Sequence, residues 1–165
     1  MRKLKHHERK LLKKVNFLEW RSDGNGREAT VLRRYHIQDR DDYVRYNRFA
    51  GNVTKLVSKL KALPPGDEYR IKISDQLLER LYDLGVVDTK KSLAKAEKLS
   101  AAALARRRLP VVMVRLKMAE TVRMAAQLVE QGHVRVGPTT VTDPGLLVTR
   151  STEDFVTWSD RAKIR

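Results

Sequence analysis

The side chains best suited to bind a ligand are cations, and they are concentrated in residues 105–137. Arg106-Arg107-Arg108 places three guanidinium groups at a predicted helix junction, and such groups bind phosphate oxygens in pairs or stack on exposed bases. Basic residues are also common at solvated helix C-termini, so the run by itself leaves both interpretations open. Nucleic-acid contact is favoured by the further basic and imidazole side chains of the same region, which are Arg115, Lys117, Arg123, His133 and Arg135.

The usual signatures of catalysis are missing from the sequence. Cysteine is absent, which excludes thiolate nucleophiles, disulfides and Cys-based metal centres. Gly24-Asn25-Gly26 lacks the lysine of a phosphate-binding loop. His6 and His7 are adjacent, so on a helix they diverge and are poorly spaced to share a metal ion. We expect no enzymatic activity, no metal, no cofactor and no small-molecule substrate.

The formal net charge of the 165-residue chain is +15. Residues 1–62 carry a net charge of +10, residues 63–104 are neutral, and residues 105–165 carry +5. An excess of this size on a short chain predicts a polyanionic partner, and nucleic acid before a membrane surface. Because no apolar run approaches the roughly 18 residues that cross a bilayer, and Met1–Lys5 begins no secretory signal, we expect no membrane association.

Hydrophobic spacing and turn residues predict the elements that must position these cations. The predicted helices span residues 4–20, 29–34, 40–62, 74–84, 100–108, 110–117 and 120–131, with Ser74 and Ser100 as N-caps. Short alternating segments at 133–136, 140–142 and 155–158 predict strands. The predicted fold class is α+β: a helical N-terminal region, residues 1–104, is followed by a domain of two helices packed on a small antiparallel sheet, residues 105–165.

The predicted first helix carries an apolar stripe opposite a basic face. Two interpretations remain open, because the stripe could pack on the body of the protein or fit the groove of a partner chain. Candidate partner-binding residues on this stripe are Leu4, Leu11, Val15, Leu18 and Trp20.

Residues 107–158 resemble the RNA-binding domain of the small-subunit ribosomal protein S4 family, also called the alpha-L motif. The similarity rests on Arg107–Pro110 at the opening, Met118–Thr121 at the link between helices, Ala125–Val129 on the second helix and His133–Gly137 at the turn into the hairpin. Pro110 departs from the Asp that many members have there. The resemblance implies RNA contacts at Arg107, Arg108, Arg115, Lys117, Arg123, His133 and Arg135, and the adjoining Arg106 is included as a candidate.

A second resemblance covers nearly the whole chain. Residues 2–20, 31–35, 42–47, 130–138 and 148–158 are similar to the Imp-class proteins, a nucleolar branch of that family in the U3 small nucleolar ribonucleoprotein. This implies a nucleolar role in the small-subunit processome, where U3 small nucleolar RNA would be bound and helped to pair with precursor ribosomal RNA for early 18S rRNA processing. The implied protein partner is the M-phase phosphoprotein scaffold of that particle. A structural protein of the mature small subunit, binding rRNA directly, is the alternative.

Overall fold

In the computed structural model, residues 2–16, 21–22, 26–160 and 162 are described. The helices are α1 (His6–Lys14), α2 (Arg27–Arg34), α3 (Arg40–Ala62), α4 (Glu68–Asp83), α5 (Leu93–Glu97), α6 (Ala101–Ala105), α7 (Leu109–Arg115), α8 (Val122–Glu130) and α9 (Arg150–Glu153). The strands are β1 (Val15–Asn16), β2 (Arg21–Ser22), β3 (Val134–Val136), β4 (Thr139–Thr140) and β5 (Val156–Trp158). None of the described helices combines the length and low polarity that crossing a membrane requires.

Helix α3 organises the N-terminal half because one face of it is apolar from Tyr46 to Leu60. The buried residues recur every three or four positions, as a helix of 3.6 residues per turn requires, and they are Tyr46, Ala50, Val53, Val57 and Leu60. Val53 and Val57 pack with Leu78, Leu81, Val87 and Ala96 from the following segments. Tyr46 belongs to a second cluster with Ile37, Ala101, Leu104 and Ala105, against which Leu147 also packs.

The C-terminal half is built from α7 and α8 packed on a three-stranded antiparallel sheet in the order β4-β3-β5. Val134 pairs with Trp158 and Val136 with both Val156 and Thr139. Between helices and sheet lies a core that includes Leu109, Val112, Met113, Ala125, Leu128, Val129, Val134, Val148 and Val156. The predicted α+β class is therefore confirmed.

Most predicted helix bounds lie within two residues of those observed, α6 ends three residues early at Ala105, and two helices differ by six residues at one end. Helix α1 ends at Lys14, and the backbone of Val15–Asn16 pairs antiparallel with Arg21–Ser22, so a single helix over 4–20 was wrong. A β-branched residue followed by Asn lowers helix propensity at this point.

Helix α4 starts six residues before its predicted beginning. The carboxylate of Asp67 caps it by accepting a hydrogen bond from Tyr69 N at 2.9 Å, while Ser74 is buried in the helix interior and is not the N-cap. The short helices α5 and α9 were not predicted, because four or five residues show too little periodicity.

Candidate nucleic-acid interface

The arginine run of residues 106–108 crosses from α6 to α7 in a short non-helical connection that pairs with the chain near residue 147. Val148 N donates to Arg107 O at 2.8 Å and Leu109 N donates to Leu146 O at 2.9 Å. Two of the three side chains are buried here: Arg107 is 5% exposed and Arg108 is 3% exposed. Only Arg106, at the C-terminus of α6, remains exposed.

Arg107 is held from two sides within the C-terminal domain. Its Nε donates to Val148 O at 2.8 Å, and its Nη1 donates to Glu153 Oε2 at 3.0 Å. Gly85 lies against it with φ +71°, and a Cβ at that position would stand 2.7 Å from Arg107 Cζ. Because no other residue type has both this backbone freedom and this lack of a side chain, Gly85 makes room for the guanidinium.

The carboxylate of Glu153 is shared by two arginines, since Arg115 Nη2 also donates to it. Burial by itself would raise the pKa of Glu153, but the hydrogen bond and charge of Arg107 and the charge of Arg115 outweigh it and hold that pKa below the usual value. Glu153 is therefore ionised at neutral pH and fixes both guanidinium groups.

Arg108 connects the C-terminal domain to α3. Its Nη1 donates to Asp42 Oδ2 at 2.7 Å and to the Tyr46 hydroxyl at 3.0 Å. Burial raises the pKa of Tyr46, although the Arg108 charge opposes the shift. The tyrosine is therefore neutral, and its hydroxyl is the second acceptor for Arg108 beside Asp42. Asp42 and Tyr46 are four residues apart on α3, which places both on the same face.

The assignment of Arg107 and Arg108 as RNA contacts is corrected by these observations. Both side chains are buried and have protein partners for their charges, so neither presents its guanidinium to an external phosphate in this structure. They position the candidate interface because Arg107 joins the connection between α6 and α7 to α9, and Arg108 joins it to α3. Their partners Asp42, Tyr46 and Glu153 were not predicted from the sequence, in which the four-residue spacing of Asp42 and Tyr46 was the one available signal.

Three of the remaining candidates gather at the link between α7 and α8. Arg115 ends α7, Lys117 follows in the link, and Arg123 lies in the first turn of α8; all three are exposed. Lys117 has φ +60°, the left-handed conformation that favours Gly. It borders a cleft of about 480 Å³ that is lined also by Val114, Met118, Ala119, Glu120 and Met124.

His133 and Arg135 lie together beyond the other end of α8. They line a cavity of about 600 Å³ with Gln131, Gly132, Pro138, Thr140, Ser159 and Asp160. Arg135 is partly committed, because its Nε donates to Thr157 Oγ1 and its Nη1 to Asp160 Oδ2, each at 3.1 Å. Helix α8 has nine residues and is about 13 Å long at 1.5 Å per residue, and the two groups lie at its opposite ends.

The predicted partner-binding stripe is only partly visible. Leu4 and Leu11 are exposed, and Leu11 exposes more than half of its surface. Leu18, Trp20 and the side chain of Val15 lie outside the described residues. Within the described part of the chain, no group of three or more His, Asp or Glu residues could hold a metal ion.

Two family models match the chain in succession. The ribosomal protein S4/S9 N-terminal domain matches residues 3–103, and the S4 domain matches residues 107–154. The first covers more than half of the chain, and the second covers the segment on which the first resemblance rested.

Relatives match over the full length of the chain. The U3 small nucleolar ribonucleoprotein protein IMP3 of Saccharomyces cerevisiae is 54% identical over 100% of this chain and 91% of its own length. Its Homo sapiens counterpart is 52% identical over 100% of this chain and 90% of its own length. The small ribosomal subunit protein uS4 of Ignicoccus hospitalis is more distant, at 38% identity over 78% of this chain and 65% of its own length. Both resemblances inferred from the sequence are thereby confirmed, and the chain belongs to the IMP3 family of U3 small nucleolar ribonucleoprotein proteins, which is related to ribosomal protein S4.

Proposed function

We propose that this protein is a nucleolar RNA-binding factor of small-subunit ribosome biogenesis, which binds U3 small nucleolar RNA and promotes its pairing with precursor ribosomal RNA for early 18S rRNA processing. The observation that carries the proposal is the full-length similarity to proteins named as components of the U3 small nucleolar ribonucleoprotein. In the segment that matches the S4 domain, the exposed cations before and at the start of α8, with the half-buried His133 and Arg135 beyond its end, support RNA as the ligand.

The physical mechanism is annealing rather than bond making. Two RNA strands are polyanions and repel each other, and a protein of net charge +15 neutralises phosphates and releases their condensed counterions. Exposed basic side chains can also hold unpaired bases while complementary strands find each other. Arg106, Arg115, Lys117, Arg123, His133 and Arg135 remain the proposed RNA contacts, and Arg107 and Arg108 hold the elements that carry them.

A protein partner is proposed for α1. The exposed Leu4 and Leu11 offer apolar anchors for the M-phase phosphoprotein scaffold, and the neighbouring basic residues suit an acidic segment. A Leu11→Glu variant should lose co-purification with that scaffold and keep its RNA affinity. Unchanged co-purification would move the partner site elsewhere.

The RNA contacts are tested by a matched pair of double variants. Lys117→Gln with Arg123→Gln removes one Lys and one Arg from the α7–α8 link, and Lys72→Gln with Arg80→Gln removes the same charges from exposed positions on α4. For an in vitro transcript of U3 RNA, the first variant should reduce the slope of log K against log salt by about 1.4 to 1.8, at 0.7 to 0.9 per phosphate. Equal slopes for the two variants would reject the site.

The alternative, a structural protein of the mature small subunit, is kept because the small ribosomal subunit proteins uS4 of Ignicoccus hospitalis and Hyperthermus butylicus are also relatives. Sedimentation of nuclear extract separates the two. Co-migration with precursor particles that contain U3 RNA supports the biogenesis role, and a stable presence in translating subunits would overturn it. A strand-annealing assay with U3 and precursor rRNA oligonucleotides then tests the pairing step.

A further inference from the structure

An exposed face of α3, beside its buried apolar face, carries a basic and partly apolar surface. We call this the α3 outer face, and it consists of Arg45, Arg48, Phe49, Asn52, Lys55, Leu56 and Lys59, all of which are exposed. The spacing of three and four residues keeps them on one side of the helix. Because Arg45 and Lys59 are 14 residues apart at 1.5 Å each, the surface is about 21 Å long.

The charge on this face is of one sign. After Asp41 and Asp42 in the first turn, no acidic residue occurs in α3. Arg45 lies 3.6 Å from Asp42, but the other oxygen of that carboxylate already accepts from Arg108. Within the described ranges, Arg48, Lys55 and Lys59 have no ion-pair partner.

The next helix provides an internal contrast. The exposed charges of α4 are of both signs along the helix, and they are Glu68, Lys72, Asp75, Glu79, Arg80 and Asp83. Surfaces that only keep a protein soluble have this mixed pattern. The α3 outer face therefore differs from an ordinary solvated helix in its uniform sign, and it carries four of the 17 basic side chains of residues 1–62.

Apolar side chains are interspersed with these cations. Phe49 is 38% exposed and Leu56 is 39% exposed, each one turn from a basic neighbour. Basic side chains that follow a phosphate backbone, combined with an aromatic ring on which a base can stack, are the typical surface for single-stranded nucleic acid. Duplex RNA fits less well, because the A-form major groove is too deep and narrow for side chains to read.

We propose that the α3 outer face is a second RNA-binding surface, which takes single-stranded RNA through its phosphates at Arg45, Arg48, Lys55 and Lys59 and stacks one base on Phe49. It depends on the proposed function only in taking RNA as the ligand class. The surface lies on a different element from the contacts flanking α8, while the Arg108–Asp42 ion pair fixes the first turn of α3 to the C-terminal domain. One protein body would thus offer separate surfaces to two RNA strands.

An acidic protein segment is a weaker fit to the same face. A helix laid into a partner surface relies on several apolar anchors, and on this face two apolar residues are outnumbered by four cations. The test therefore includes this occupant as an outcome that would overturn the proposal.

The charges are tested with the full chain and two quadruple variants of equal net charge. One carries Arg45→Gln, Arg48→Gln, Lys55→Gln and Lys59→Gln, and the control carries Lys72→Gln, Arg80→Gln, Lys95→Gln and Lys98→Gln, all at exposed positions. Binding of a 20-nucleotide oligouridylate is measured by fluorescence anisotropy across a salt series. The outer-face variant should lower the slope of log K against log salt by about 2 to 3, at about 0.7 per single-strand phosphate, and the control should change it by much less. Equal changes in the two variants would overturn the proposal.

The stacking step is tested separately with Phe49→Leu, which removes the ring and keeps an apolar side chain. The expected loss is at least about fivefold in oligouridylate affinity, and Leu56→Met should leave the affinity unchanged. Wild-type affinity of Phe49→Leu would overturn the stacking contact. Thermal unfolding of each variant confirms that the fold is intact.

Two further arms separate the failure of this proposal from the failure of the proposed function. If Lys117→Gln with Arg123→Gln loses U3 RNA affinity while the outer-face variant keeps all of its RNA affinity, the second surface is wrong and the proposed function stands. If only the outer-face variant loses affinity, the second surface stands and the assigned S4-domain contacts are wrong. Loss of binding to a Glu- and Leu-rich peptide, with oligouridylate binding intact, would make the face a protein site and overturn the proposal.

Discussion

The guanidinium of Arg108 lies 2.7 Å from the carboxylate of Asp42, across 66 positions of sequence. This ion pair joins the segment before α7 to the first turn of α3, and the Tyr46 hydroxyl completes it. A residue first predicted to contact RNA is therefore an internal connection between the two halves of the protein. Disrupting the Arg108–Asp42 ion pair should therefore lower the stability of the fold, and any change in RNA binding should follow from that loss of stability.

Replacing Asp42 by Asn should destabilise the fold by about 3 kcal/mol, because Arg108 would keep a buried charge without its counterion. The value lies at the low end for broken buried pairs, since about a fifth of the Asp42 side chain is exposed. Urea unfolding provides the measurement. Asp41→Asn is the matched control, because Asp41 shares the first turn of α3 but is exposed, and it should change stability by less than about 0.5 kcal/mol. Equal effects of the two changes would contradict the connecting role.

Gly85→Ala should be more destabilising than Gly137→Ala, although both glycines have positive φ. Gly137 has φ +60° with no atom within 4 Å of an added Cβ, so its substitution costs only the backbone strain of about 1 to 2 kcal/mol. At Gly85 the new Cβ would also meet the Arg107 guanidinium at 2.7 Å, adding about 1 to 3 kcal/mol of overpacking. Thermal unfolding of both variants measures the difference, and similar shifts would mean that Arg107 moves aside without penalty.

The ionised form of Glu153 should contribute to stability at neutral pH and lose that contribution in acid. The pKa of Glu153 is lower in the folded protein than in the unfolded chain, where a Glu has a pKa of about 4.3. The contribution is therefore complete above about pH 4.3 and disappears as the pH falls through the folded-state pKa. Glu153→Gln should cost about 1.5 kcal/mol at pH 7, and the gap to wild type should narrow on acidification. A pH-independent gap in unfolding free energy would contradict this.

Changes at Lys117 should separate stability from RNA binding. A non-glycine residue with φ +60° carries roughly 1 kcal/mol of strain that Gly relieves. Lys117→Gly should thus raise the unfolding free energy by about 1 kcal/mol and weaken U3 RNA binding by removing one phosphate contact. Lys117→Ala keeps the strain and removes the same charge, so it should weaken binding without the gain in stability. A glycine variant that binds RNA as tightly as wild type would remove Lys117 from the interface.

Where local pattern dominates, the sequence was sufficient. The bounds of α3 follow from its apolar spacing and from Pro64-Pro65-Gly66, and the structure has the helix over Arg40–Ala62 as predicted. The α7–α8 pair and the strands after Gly132 follow from capping residues, spacing and alternation. These features depend on neighbours within a few residues, so they can be inferred without knowledge of distant contacts. The beginning of α4 was missed even so, because Ser74 was predicted as the cap, whereas the helix is capped by Asp67.

The sequence by itself determined the α+β class, the basic character and the family, since composition, periodicity and motif order are properties of the chain alone. Only the tertiary structure decided which cations are available to a ligand. Arg106, Arg107 and Arg108 are chemically identical and consecutive, yet one is exposed and two are buried. The difference arises from Asp42 and Glu153, which lie 66 and 46 positions away from the arginines that they bind. A charged arginine side chain is buried only at a small cost when a carboxylate pairs with it. Here the carboxylate is distant in sequence, so only folding brings the two groups together.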